Sequence, residues 1–266
     1  SETFLVMTLQ LSLFDSRKSF EDRTKHLRTF PAPKGPNSHK IILSLFDLSL
    51  VWCQPYIDAG YTVLPLDIQA DGLDIASMEN PYLAGEIIGE MLGFPPYHVY
   101  GILNACPCTS FSGSGARWWK AKNESGETQE SLNLLIKSMQ IIKYFMHDPK
   151  TDRIAEFDAT EALRLNPDAG LRFWALENPV GRINTLLPGM KKFGPQYFQP
   201  NDYGSPYTKK TGLWGSFNFP KATNRVEPTE GSRMWNMFPT KDPLVRKNAR
   251  SRTDENFSNA FFEVNR

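Results

Sequence analysis

Two short stretches carry residue types that suit covalent chemistry, "NACPCTSFSGSG" around Cys108 and "LENPVGR" around Glu177. Each follows an apolar run that reads as a buried strand, so each falls on a strand-end loop. A cysteine on such a loop faces a ligand cleft, and a few per cent of it is already thiolate at neutral pH. A helix N-terminus or a neighbouring cation would lower its pKa further from about 8.5. Glu177 closes the run Phe173, Trp174, Ala175 and Leu176, whose apolar surroundings would raise its pKa and let it share a proton. A nucleophilic thiol with a proton-sharing carboxylate is what addition to an electron-poor ring requires. Cys106-Pro107-Cys108 alone makes half a metal site, and neither Cys53 nor the scattered His26, His39, His98 and His147 supplies the other half. No metal is expected. Cys53 and Cys106 read as small core residues, and three cysteines suit a reducing compartment better than a disulfide framework.

The elements that must hold these loops alternate along the chain. "KIILSLF", "YTVLPLDI", "HVYGILNA" and "LRFWALENP" read as strands; "VWCQPYIDAG", "NPYLAGEIIGEMLG" and "TQESLNLLIKSMQIIKYFMHD" read as helices. In the last helix Leu132, Leu135, Ile136, Met139, Ile142 and Met146 form an apolar stripe that leaves out Lys137 and Lys143. Alternation of this kind predicts an α/β fold with a doubly wound, mostly parallel sheet, in which ligands bind beyond the carboxyl ends of the strands. The chain divides into an extension over 1–38, a core over 39–184, a loop-rich region over 185–252, and a final helix within 253–266.

The 266 residues carry a net charge of +1, unevenly spread. Residues 185–252 hold twelve Lys and Arg against four Asp and Glu, leaving −7 for the remainder. Ten aromatics, from Phe193 to Phe238, are interleaved with those cations, which suits phosphate contact and base stacking. A solvated basic face is the plainer alternative. No apolar run reaches the roughly 18 residues of a membrane span, and no secretory signal pattern opens the chain. A cytoplasmic monomer is expected.

"PCTSFSGSG" and "ENPVGR" resemble the Pro-Cys and Glu-Asn signatures of the C5-cytosine DNA methyltransferases, especially the short phage-type members. "FDLSL", "LDIQ" and "DGLDI" fall in the order of that family's cofactor motifs, and the resemblance runs from about Lys40 to Glu263. It implies a Rossmann-like methyltransferase core and S-adenosylmethionine as donor. Phe46, Asp47, Leu48, Ser49 and Leu50 would form the cofactor turn, with Pro107 beside it. Asp67 would bind the ribose, Ile68 would pack on adenine, and Asp74, followed by Ile75, would accept from the adenine amino group. Cys108 would attack C6 of a cytosine flipped out of double-stranded DNA, Glu177 would hydrogen-bond N3, and Asn178 would position Glu177 and its loop. Arg182, Arg117 and Lys209 are the candidates for the cation that contacts the cytosine, and Ser112, Lys210, Arg225 and Arg233 for further DNA contacts. Leu48 and Leu50 depart from the family by replacing turn glycines. A leucine at positive φ is strained, and its side chain would enter cofactor space. A site for another donor, or a DNA-binding protein without activity, are therefore the alternatives; folate-dependent nucleotide methylases use the same thiol chemistry on another fold. Finally, Gln10, Leu11, Leu13 and Phe14 in "QLSLF" resemble the peptide that docks into bacterial sliding clamps.

Overall fold

The structure, a computed structural model, describes residues 35–67, 69, 75, 99–148, 153–154, 171–233 and 242–266. The helix expected over "NPYLAGEIIGEMLG" and the clamp-like segment lie outside them.

Six strands form one sheet: β1 (Ile41–Leu45), β2 (Thr62–Leu66), β3 (Val99–Asn104), β4 (Phe173–Pro179), β5 (Gln196–Phe198) and β6 (Thr211–Ser216). Their order is β2-β1-β3-β4-β6-β5. The first four are parallel, while β6 runs antiparallel to β4 and β5 antiparallel to β6. This is the α/β, mostly parallel sheet that the alternation predicts, with the Rossmann-like arrangement that the resemblance implies. Pro65 sits in edge strand β2, where a missing N–H is tolerated.

Period-two alternation sends successive side chains to opposite faces, and each face is covered. On one side Ile41, Leu43, Leu45, Ile102 and Trp174 pack with Leu135, Met139, Ile142 and Phe145 of α3 (Glu127–Phe145). The short α2 (Trp119–Glu124) leads into α3. On the other side Ile42, Leu103 and Phe173 pack with Tyr56 of α1 (Gln54–Asp58) and with Phe257, Phe261 and Phe262 of the last helix. That face is largely aromatic, with Tyr56 edge-on to Phe262 at 4.9 Å. Among the described residues no helix is long and apolar enough to cross a membrane.

The α3 stripe differs from expectation at four positions. Ile136 is exposed, and Ser138, Ile141 and Phe145 are buried instead. Ser138 is drawn inward because its hydroxyl accepts from Asn104 Nδ2 (2.9 Å) at the end of β3 and donates to Leu135 O.

Within residues 185–252 the structure adds α4 (Ile183–Leu186, straddling the boundary), the two antiparallel strands and α5 (Pro243–Ser251). Strands β5 and β6 extend the core sheet. The chain closes with α6 (Glu255–Asn265), capped by Asp254, which accepts from Phe257 N. Phe257 stacks on Phe198 with ring centroids 3.5 Å apart, anchoring the helix to β5.

Candidate functional site

Beyond the carboxyl ends of β1, β2 and β3 lies a cleft of about 630 Å³. It is lined by Phe46, Asp47, Leu48 and Ser49 from the first strand end, Asp67 and Gln69 from the second, and Pro107, Cys108 and Ser112 from the third. Residues as far apart in sequence as Phe46 and Ser112 are thus brought together by the order of the strands.

The turn after β1 is held from within by Asp47. One carboxylate oxygen accepts from Leu50 N (2.7 Å) and Ser49 Oγ, the other from Ser44 Oγ (2.8 Å). Phe46 and Leu50 adopt φ of 61° and 60°, the left-handed region that side chains disfavour by about 1–2 kcal/mol. Leu48 does not. The expectation for the two leucines therefore divides: Leu50 takes the strained backbone but packs into the aromatic core, while Leu48 has ordinary φ and lines the cleft. Only Leu48 stands in space a ligand would use.

Asp67 closes β2, with Oδ1 accepting from Gln69 N (2.8 Å). Ile75 does not reach the cleft; it is buried in the core beside α3. Ile68 and Asp74 lie outside the described residues.

Cys108 is half-buried, and its carbonyl accepts from both Phe111 N and Ser112 N at 2.9 Å, closing a tight turn. Burial pushes its thiol up, Lys209 pulls it down, Glu177 raises it, and Lys247 lowers it by a smaller amount. The net direction is upward, so the expected cation-lowered thiol is not what the fold produces at rest. Cys106 and Cys53 are buried core residues.

The loop after β4 is laced to the cysteine loop. Asn178 Nδ2 donates to Cys106 O (2.9 Å), and Gly113 N donates to Val180 O (2.8 Å). Gly181 is needed here, because a Cβ would come within 1.9 Å of Phe111 O. Arg182 is buried: Nε donates to Ser110 O, Nη2 donates to Thr128 Oγ1, and the guanidinium stacks 4.6 Å from the Trp119 ring centroid. It clamps the loop and does not line the cleft, contrary to a role in touching a base.

Glu177 is 5% exposed but sits among polar partners, not the apolar ones expected. Oε1 pairs with Lys209 Nζ at 3.3 Å, and Oε2 accepts from the Thr253 hydroxyl. Lys209, itself 4% exposed, also donates to Arg252 O (2.9 Å). Arg252 and Thr253 line the cleft; Glu177 and Lys209 stand behind them.

The remaining expected DNA contacts separate. Ser112 and Arg117 line the cleft, with Arg117 5.3 Å from the ring of Trp118, which is 56% exposed. Lys210 lies over Tyr197 at 4.8 Å. Arg225 pairs with Asp202, and Arg233 stacks on Tyr207 at 3.7 Å while donating to its hydroxyl; none of these three lines the cleft. The residues sequence reasoning passed over are those of α5. Arg246, Lys247 and Arg250 share one helical face over the cleft, with Asp242 capping the helix and Asn248 reaching Gln69 Oε1 at 3.3 Å. The signal was present as "VRKNARSR", a cationic run with helical spacing after Asp242-Pro243.

No protein-family model and no curated protein matches the chain. A solved structure from Escherichia coli, described as a candidate DNA modification methyltransferase encoded within a prophage, matches with 16% identity and a TM-score of 0.39. The similarity covers 76% of this chain and 56% of that one, so the chain spans just over half the length of that protein.

Proposed function

We propose that the chain is an S-adenosylmethionine-dependent DNA methyltransferase acting on C5 of cytosine. The observation that carries this reading is the convergence on one cleft of Cys108, Asp67 and the turn 46–49, with Glu177 bonded to the cleft residue Thr253 from behind.

The residues present fit a nucleoside-sized donor. The cleft volume lies within the roughly 300–1,000 Å³ of small-molecule sites, and Asp67 offers a carboxylate at a strand end, where a ribose would be held. Leu48 narrows it. The donor, when bound, supplies an electrophilic methyl group. The protein's own task is to make the ring nucleophilic at C5.

Cys108 adds across the ring: the Sγ–C6 bond forms, the C5–C6 electron pair shifts toward C5 and N3, and the thiol proton is transferred to N3, with the Glu177 carboxylate, set behind Thr253 at the cleft wall, supplying the nearby negative charge. Lys209 keeps a cation beside that carboxylate while the proton moves. Once C5 is methylated, its proton leaves to solvent, the Sγ–C6 bond breaks, and the proton on N3 returns to Cys108. Asn178 and Arg182 act as positioning residues, since they tie the two loops together. Extruding a base from the duplex costs a few kcal/mol, and the cations of α5 together with Arg117 offer phosphate contacts that offset it. Residues 185–252 remain the proposed recognition region, and Gln10 to Phe14 the proposed clamp-docking peptide, to be tested by pull-down after deletion of 1–14.

A duplex carrying 5-fluorocytosine tests the assignment, because fluorine at C5 cannot depart as a proton and the adduct persists. A denaturant-resistant complex is expected with the native chain and none with Cys108→Ser. Equal trapping by both would remove Cys108 from the mechanism. The second reading, a DNA-binding protein without donor binding, draws support from Leu48 lining the cleft.

A further inference from the structure

We infer that Thr253 is a specificity-determining residue, reading the exocyclic amine of the base that Cys108 attacks. The inference rests on the function proposed above and concerns a residue that no resemblance singled out.

Thr253 is 4% exposed and lines the cleft with Cys108, while its hydroxyl donates to Glu177 Oε2. That donation has a consequence for polarity. Glu177 is paired through its other oxygen with the Lys209 ammonium, and a carboxylate in such a pair accepts hydrogen bonds only. A threonine hydroxyl has one proton. With that proton committed to Glu177, the lone pairs of Oγ1 are what Thr253 offers to a ligand. Lys209 also holds the adjacent Arg252 carbonyl, so the segment carrying Thr253 is fastened on both sides.

An acceptor fixed in this way pairs with an N–H and opposes a carbonyl. Cytosine and uracil share the ring that a thiol attacks at C6, and they differ at N3, which already bears a hydrogen in uracil, and at C4, where cytosine bears an amino group and uracil an oxygen. Facing Thr253, the first gains a hydrogen bond; the second places lone pair against lone pair. Discrimination by a buried group left unpaired is much stronger than discrimination by shape. The residue that chooses the base is then separate from the residue that activates it, and the two are joined through one carboxylate.

The test compares duplexes carrying 5-fluoro-2′-deoxycytidine or 5-fluoro-2′-deoxyuridine at one position, with S-adenosylmethionine present, and measures the rate of covalent trapping on a denaturing gel. The native chain is expected to favour the cytosine analogue by roughly tenfold or more, the scale of one misdirected hydrogen bond. Thr253→Val, which keeps the shape and loses the hydroxyl, should lower the ratio several-fold, the remainder coming from the difference at N3, whereas Thr253→Ser should keep it. Thr253→Ala serves as the second removal variant if valine does not fold. A structural role would slow both analogues together and leave their ratio unchanged. An unchanged ratio in the folded removal variants, or loss of the ratio in Thr253→Ser, overturns the inference while leaving the covalent mechanism standing. No adduct with either analogue in the native chain overturns both.

Discussion

Lys209→Met tests whether the Glu177 ion pair is an integral part of the site. Lys209 and Glu177 are 4% and 5% exposed and 3.3 Å apart, and Lys209 spends a second donor on Arg252 O. Methionine preserves most of the side-chain volume, so the change removes charge and donors with little cavity. It strands a buried carboxylate that keeps its hydrogen bond from the Thr253 hydroxyl but has lost its counter-ion. Removing one partner of a buried pair costs about 3–5 kcal/mol, chiefly the uncompensated charge left behind. For a chain of this size that corresponds to a fall in Tm of about 6–12 °C at the lower figure. Urea unfolding at pH 7 measures it, with Glu177→Gln and the double variant completing a cycle. Because the loss lies in the orphaned charge, the double variant should recover about 2 kcal/mol relative to the sum of the single changes. A Lys209→Met cost under about 1 kcal/mol, or an additive cycle, would refute the reasoning that these two charges depend on each other.

Three further outcomes follow from the same geometry. Leu48→Gly should strengthen S-adenosylmethionine binding in calorimetry by about threefold or more, since uncovering cleft space relieves a steric cost of order 1 kcal/mol, while Leu50→Gly, whose side chain packs in the core, should leave affinity unchanged and lower stability. Burial raises the Cys108 thiol, so its alkylation by iodoacetamide should be slow at neutral pH and still climbing above the ordinary thiol pKa of about 8.5; Lys247→Met removes a lowering charge and should slow it further at any fixed pH below that range. Exchanging Lys247 and Arg250 together for Gln should weaken DNA binding across sequences and reduce the slope of log affinity against log salt by about 2, measured by fluorescence anisotropy.

The parallel strands were legible because a strand buried on both faces must be a short apolar run, and "KIILSLF" and "LRFWALENP" are such runs. Helix α3 was legible from its stripe, although Ile136 shows that periodicity cannot say which edge of a stripe faces water. Strands β5 and β6 were not, because β5 has three residues and Gly212 and Gly215 interrupt the apolar pattern of β6. The strand-end rule pointed to Cys108, Asp67 and residues 46–49 of the turn, which line one cleft, as local sequence and topology together allow. It said nothing of Lys209, 32 residues from Glu177, or of Thr253, 76 residues away, since such partners are set by how the antiparallel strands and the C-terminal segment fold back. Leu50 takes the positive φ that glycine would ease, while Leu48 has ordinary φ and lines the cleft, two features that a motif comparison merges into one.

The central claim is methyl transfer to C5 through Cys108. The chain is incubated with duplex DNA and methyl-labelled S-adenosylmethionine, the DNA is digested, and the nucleosides are separated by mass spectrometry. Labelled 5-methyl-2′-deoxycytidine from the native chain and none from Cys108→Ala is the predicted result. Label on an exocyclic nitrogen, or 5-methyl-2′-deoxycytidine that survives loss of Cys108, would contradict it.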